Sequence, residues 1–527
     1  MVDKVFRIEY FITSVALTFA IWVHGAEDKA PVAFEPTADQ TAAIDQISAD
    51  SLQGHLSFLA SDLLEGRDTP SRGLDLAAEY IAAQFRRAGL EPVGDDGYFQ
   101  TANWQLAEPN APSFAFELRS GEDRIPLGKD QVSLSGLKAM DLTSKPSFKV
   151  DFRNTEALTT DQIEGKVVMT ECPDPERVGT DRRPTTLFAF NQFLTRMRDL
   201  KPALVVNISR DSKDASGLDG QRLIDPENAN GLRAALAANR LDIPIIKVHD
   251  SKFAEIFDSL PIGASPLDFS VHLDEPTLRP VKIRNVAGLL RGSDPTLKNT
   301  YVLLTAHYDH IGIRPSAAED RIYNGANDDG SGTVTVIEVA SALAKLKQRP
   351  SRSLVFLTFF GEEKGLLGSR YYARHPLVPI AKTVADVNLE QVGRTDSSEG
   401  PQVAAASMTG IDFSTVGNVF QAAGKAEGIR VYKHPRNSDA YFARSDNQAL
   451  ADLGVPAHTL TVSFDYADYH GLSDHWDKID YANMAKVNRM TARALLMIAE
   501  DPAEPKWDET NPKTATYRNA RRKGESQ

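Results

Sequence analysis

The chain has 527 residues, 42% hydrophobic and 25% charged, with a formal net charge of −13. That length exceeds what one core organises and predicts two or three domains, while the acidic balance disfavours a nucleic-acid binder. The single cysteine, Cys172, excludes an intrachain disulfide and a cysteine-rich zinc site.

Read in order, the chain begins with Lys4 and Arg7, an apolar run from Tyr10 to Val23, and His24-Gly25-Ala26. Basic, apolar, then small is the order of a secretory signal peptide, here 1–26, although Glu9 and His24 are unusual in their places. The run is shorter than the ~20 residues that span a bilayer, and no later stretch approaches that length. Export to the periplasm or the medium is therefore expected, with no stable membrane insertion once the signal is cleaved. Residues 27–48 are polar and proline-bearing and read as a linker. In 49–132, Ala77, Ile81, Phe85 and Ala88 recur at helical spacing before Gly89, which predicts a helix stopped by that glycine.

The texture changes over 133–277. Short apolar runs, among them Val167-Val168-Met169, Ala203 to Val206 and Ile243 to Ile246, alternate with polar loops and predict a separate strand-rich domain. His249 and His272 are isolated there and read as structural. Over 278–500, apolar strands (Tyr301 to Leu304, Leu354 to Phe360, Val384 to Leu389) alternate with helical text (Thr333 to Leu346, Met484 to Ile498). Such alternation predicts an α/β fold whose mixed, mostly parallel sheet is covered by helices on both faces. Residues 501–527 are polar and read as a partly disordered tail.

Chemistry concentrates after the strands of the last large segment, where sheets of this kind place their sites. Phe360-Gly361-Glu362-Glu363-Lys364-Gly365 puts two adjacent carboxylates at a strand end, and outside a helix neighbouring side chains diverge. One can hold a metal while the other faces its water. His307-Tyr308-Asp309-His310 follows the first strand, and Asn327-Asp328-Asp329-Gly330 leads into a helix. Asn388-Leu389-Glu390 ends the third strand, and Tyr469-His470 precedes the last helix. Each has a bland reading as a cap, a turn or a surface charge. Together they supply histidines and carboxylates in the mix that zinc takes with positions left open for water.

These motifs resemble the exported zinc aminopeptidases of the clan that includes glutamate carboxypeptidase and the transferrin receptor. The resemblance covers about Ser51 to Met497. It includes Phe58-Leu59-Ala60-Ser61-Asp62-Leu63-Leu64-Glu65-Gly66-Arg67 and Asp477-Lys478-Ile479-Asp480-Tyr481. It implies a zinc exopeptidase fold and makes 133–277 an inserted protease-associated domain. It further implies two zinc ions per chain, with His307 on one, Asp328 bridging both, Glu363 and His470 on the second, and Glu390 as the remaining ligand. Asp309 would orient His307, Glu362 would be the general base, and Tyr469 would hydrogen-bond the oxyanion. His310 and His475 match no ligand position and are expected at most to touch substrate. The chain departs from the family at Glu390, where aspartate is usual, and at Asn447, where histidine is common.

The resemblance implies hydrolysis of peptides, foremost by an aminopeptidase releasing N-terminal residues through a metal-activated water and a glutamate base. A carboxypeptidase or dipeptidase of the same clan, a glutaminyl cyclase, and a non-catalytic receptor-like protein are the alternatives. Peptide substrates and no nucleic acid are expected as partners, and monomer and homodimer remain equally open.

Overall fold

A strand such as Leu354-Val355-Phe356-Leu357, apolar at every position, is stable only where both of its faces are covered. The computed structural model describes residues 34–135, 138–172, 184–210, 221–227, 243–314 and 320–525. The signal-like segment 1–26 lies outside them. The strand Ser353–Phe359 is buried along its whole length at the heart of a ten-stranded sheet.

Nine strands of that sheet are β1 (Phe99–Glu108), β2 (Arg222–Ile224), β3 (Thr277–Leu290), β4 (Tyr301–His307), β5 (Ser353–Phe359), β6 (Thr383–Glu390), β7 (Ala405–Met408), β8 (Arg430–Tyr432) and β9 (Ala457–Thr461). Their order across the sheet is β8-β7-β9-β6-β4-β5-β3-β1-β2, with Glu91–Pro92 paired onto β3. The four central strands β9, β6, β4 and β5 run parallel, and β3, β1 and β2 extend the sheet antiparallel. Because the centre is parallel, the carboxyl ends of β4, β5, β6 and β9 emerge at one edge. The predicted site motifs follow those four ends.

Helices α1 (Ala38–Ile44), α2 (Ala49–Leu59), α3 (Arg72–Ala88), α4 (Ser331–Leu343) and α5 (Tyr481–Glu500) pack on one another, with α4 against β4, β5 and β6. Helix α3 is the one predicted: Ser71 Oγ accepts from Leu74 N at 3.0 Å, and Gly89 takes the left-handed conformation that ends it. The opposite face is closed by Tyr372, Phe413, Phe442, Leu450 and Trp507, packed on Leu303, Val355 and Leu357.

Three boundaries differ from the sequence reading. The expected linker 27–48 contains α1, opened by a reciprocal cap between Thr37 and Gln40, with Ile44 and Ile47 buried. The strand-rich segment begins at Ala115 rather than 133. Its eight-stranded sheet starts with the hairpin Ala115–Ser120 and Asp123–Pro126 and ends with Gly263–Leu273. Val167, Met169 and Val206 face one apolar cluster of that sheet, while Val168 and Val205 face another, so both faces are covered. The tail expected to be partly disordered instead packs against the large sheet. Trp507 is buried and donates to Gly454 O at 2.9 Å, and Tyr517, on helix α6 (Ala515–Glu525), stacks on Trp507. Sparse aromatic anchors order this polar text without producing any periodicity.

Candidate metal centre

His307 ends β4 and is fully buried. Its Nδ1 lies 3.1 Å from the backbone carbonyl of Asp309 and 3.5 Å from that residue's carboxylate. The closer partner of Nδ1 is thus the backbone carbonyl of Asp309, the residue that the resemblance gives as orienting His307. The Asp309 carboxylate accepts instead from Glu362 N at 3.1 Å, tying the loop after β4 to the loop after β5. With Nδ1 engaged, Nε2 is the atom left to face the cluster. It lies 3.3 Å from Asp328 Oδ1 and 3.5 Å from Glu390 Oε2.

Asp328 sits in a wide turn, Ala326–Gly330, that feeds α4. This turn is stitched down from several sides. Asp474 accepts from the amides of Asn327 and Asp328, and Tyr466 donates to Asp474 at 2.9 Å. Asn327 Oδ1 accepts from Gly393 N and Arg394 N at 2.8 and 2.9 Å, and Asp329 Oδ1 accepts from Gln391 N at 3.1 Å. Thr333 donates to His307 O at 2.7 Å. The second oxygen of Asp328, Oδ2, lies 3.1 Å from His470 Nε2, which is also 3.3 Å from Glu363 Oε2. One carboxylate therefore offers an oxygen to each of two histidine–carboxylate pockets. The structure thus brings together the five residues, His307, Asp328, Glu390, Glu363 and His470, that the resemblance names as ligands.

His310 joins the second pocket as well. It is fully buried, and its Nδ1 lies 2.8 Å from Glu363 Oε1. His310, Asp328 and Glu363 form one donor group and His307, Asp328 and Glu390 another. His475 belongs to neither. Tyr469 is half-exposed and its ring stacks on His470 with centroids 4.0 Å apart. Burial, with Asp328, Glu363 and Glu390 around it, pushes the phenol up, so it stays a hydrogen-bond donor.

The cluster is rich in negative charge. Among the described residues, the ion-pair partners of Asp328, Glu363 and Glu390 are all histidines. His470 is pushed up to about 10: burial opposes its charge, but Asp328 and Glu363 outweigh burial. Burial likewise opposes the charge on His307, and Glu390, Asp309 and Asp328 overcome it. Burial and Asp328 push Glu363 up, but His310 and His470 bring it down to about 2. Glu362 is held well above the carboxylate range by burial and by Glu390 and Glu363, against the pull of His307. Without an ion, the carboxylates draw protons onto the imidazoles. Metal cations would supply that charge and leave the same nitrogens free to ligate. The donor set thus fits zinc, with imidazole and carboxylate ligands in both pockets.

Sequence reasoning missed Arg67. It is fully buried, and its guanidinium donates to four backbone carbonyls: Leu59 at 2.6 Å, Asn324 at 2.7 Å, and Tyr308 and Gly325 at 2.8 Å. One side chain so joins the His307 loop, the Asp328 loop and α2. Its own backbone is left-handed, at φ 52, which a non-glycine residue adopts only when its surroundings compel it. The motif ending at Arg67 was visible in the sequence, but its partners were not.

A parallel-centred sheet thus carries, at its carboxyl edge, two histidine–carboxylate pockets that share an aspartate and could each hold a metal ion. Residues 285–495 match the model of Peptidase family M28. A probable zinc metalloprotease of Pyrenophora teres f. teres (strain 0-1) is 33% identical over 127 residues, 24% of this chain. Aminopeptidase YwaD of Bacillus subtilis (strain 168) is 38% identical over 94 residues, 18% of this chain. The chain spans 26% of the first relative's length and 18% of the second's. The solved aminopeptidase from Aneurinibacillus sp. strain AM-1 shares the fold, with a TM-score of 0.55 at 18% identity, covering 89% of this chain and 97% of that one.

Proposed function

We propose that the chain is a zinc-dependent aminopeptidase. The observation that carries this reading is Asp328, whose two oxygens face two separate histidine–carboxylate pockets, with Glu362 near enough to feel the charges of His307, Glu390 and Glu363. His307 and Glu390 would hold one zinc ion, Glu363 and His470 the other, and Asp328 would bridge them. The M28 match and the relatives named as aminopeptidase and zinc metalloprotease support the assignment.

Zinc bound there would supply Lewis acidity, polarising a carbonyl and acidifying water. The protein's own contribution is positioning and proton transfer. Glu362, held by its amide to Asp309, takes a proton from the attacking water and delivers it to the leaving amine as the C–N bond breaks. Tyr469 donates its hydroxyl hydrogen to the oxyanion as it forms. An acidic cluster including Glu362 and Glu390 also suits the cationic α-amine of a peptide N-terminus. Among the described residues no helix is long and apolar enough to cross a membrane. The leader-like composition of 1–26 supports export, and the second sheet supports an inserted protease-associated domain.

The test is a series of dipeptides with free N-termini and the same series N-acetylated, each with and without a zinc chelator. Chelator-sensitive cleavage of the free series alone is expected. Cleavage of the acetylated series would move the protein to carboxypeptidase or dipeptidase chemistry.

A further inference from the structure

The carboxylate of Glu390 ends a side chain with three rotatable bonds, in a pocket crowded with like charges. Free, it would swing away from Glu362 and Asp329 or take an ion with both oxygens. The structure holds it by one oxygen. Ser445 Oγ lies 2.5 Å from Glu390 Oε1, while Oε2 faces His307 Nε2 at 3.5 Å.

The direction of that hydrogen bond follows from what lies behind Ser445. Asn388 Nδ2 is 2.7 Å from Ser445 Oγ and 3.2 Å from Thr459 Oγ1. The Thr305 hydroxyl lies between Asp386 Oδ1, at 3.0 Å, and Asn388 Oδ1, at 3.1 Å. An amide nitrogen only donates, so Ser445 Oγ accepts from Asn388 and its single proton points to Glu390. Thr459 in turn donates to Asn447 Oδ1 at 2.9 Å. Thr305, Asn388 and Thr459 lie on β4, β6 and β9, adjacent parallel strands, and all are buried. The next residue, Asp446, is fixed by Ser369 at 2.5 Å. The hydroxyl is therefore anchored to the sheet, with its proton direction set in advance.

We propose that Ser445 is a positioning residue for Glu390: by occupying Oε1 it leaves only Oε2 to ligate the ion of the His307 pocket. This rests on the metal-site reading above. It makes the affinity of one ion, and not the other, depend on a hydroxyl that touches no metal.

The experiment strips the full chain of metal and titrates zinc back against a competing chromophoric chelator. Wild type is expected to bind two ions. Ser445→Ala should weaken one of them ~10–100-fold, the usual cost of losing an outer-shell partner, and leave the other unchanged, with the metal-free unfolding midpoint kept. Ser445→Thr, which retains the hydroxyl, should restore the affinity. In a Glu390→Asp background the same Ser445→Ala change should cost less than about twofold, because the shorter carboxylate cannot reach both partners. Should the alanine variant fail to fold, the isosteric pair Ser445→Thr and Ser445→Val decides, one with the hydroxyl and one without. Unaltered affinities in the hydroxyl-less variant, or an equal loss in both backgrounds, overturn the inference. A wild-type chain that takes up no zinc overturns the metal reading and this inference with it.

Discussion

The two pockets share Asp328 but are built differently. In the first, His307 is 1% exposed and Glu390 is 13% exposed, and each ends a central strand. His307 Nδ1 faces a backbone carbonyl, and Glu390 accepts from Ser445, which is tied to the sheet through Asn388. In the second, His470 is 37% exposed, comes from the loop after β9, and holds a left-handed backbone at φ 53. Its ring is supported by the half-exposed Tyr469. Glu363 is as shielded as Glu390 but also belongs to a loop. The first pocket is a by-product of a packed sheet, and the second depends on a loop that water can reach. Residues at strand ends inherit the rigidity of the core, whereas residues on loops must be held by their own contacts.

The largest effect should come from the residue that joins the pockets. Asp328→Ala is expected to lose both ions, with each affinity falling more than ~100-fold, because it removes the proposed shared ligand where an outer-shell partner alone costs up to that much. Metal analysis after gel filtration checks this, and a variant retaining one tightly held ion would show that the pockets do not share a ligand. Next in size, Glu362→Gln should leave both pockets filled while turnover drops at least ~100-fold, the low end for losing general acid–base catalysis. Paired zinc and kcat measurements separate the two effects, and near-normal turnover would remove Glu362 from proton transfer.

The scaffold of the first pocket also predicts a pH effect on stability. His458 on β9 is fully buried and neutral, its Nδ1 donating to Thr409 O at 2.9 Å and its Nε2 accepting from Ser414 at 2.6 Å. Burial pushes its pKa down to about 4, against ~6.5 in an unfolded chain. Above pH 6.5 the group is neutral in both states and contributes no slope. Below it the unfolded chain takes the proton first, so stability falls as the pH drops from ~6.5 towards 4, by about 3 kcal/mol in all. Urea unfolding of the metal-free chain at a series of pH values should show this slope, reduced in His458→Gln. The smallest predicted effect is the difference between the pockets themselves. Graded chelation of the loaded protein should remove the ions in two steps whose affinities differ at least ~10-fold, the scale of an outer-shell contribution. His470→Ala should keep the tighter ion, and a single step would erase the contrast between the pockets.

Much of this architecture was legible beforehand, for a physical reason in each case. Strand text apolar at every position, as in Leu354 to Phe360, has few other stable settings than a sheet covered on both sides, and β5 is such a strand. Ala77, Ile81 and Phe85 face inward on α3 because helical spacing leaves them no alternative. What was misread is where apolar residues are sparse. Ile44 and Ile47 in an otherwise polar opening, and Trp507 and Tyr517 in the tail, each bury one ring or branch in a groove made by distant residues. The hairpin at 115–126 was passed over because its strands are short and half polar.

The sequence by itself determined the chemistry on offer: which histidines and carboxylates follow which strands, and hence that a parallel-centred sheet would deliver them to one edge. Tertiary structure alone decided which atoms of those groups stay free. Arg67 binds carbonyls 241, 257 and 258 residues away, Asp474 pins the Asp328 turn from the far end of the chain, and Ser445 takes one oxygen of Glu390. Such hydrogen bonds join residues whose separation along the chain carries no signal. Their strength comes from burial, which exists only once the chain has closed around them.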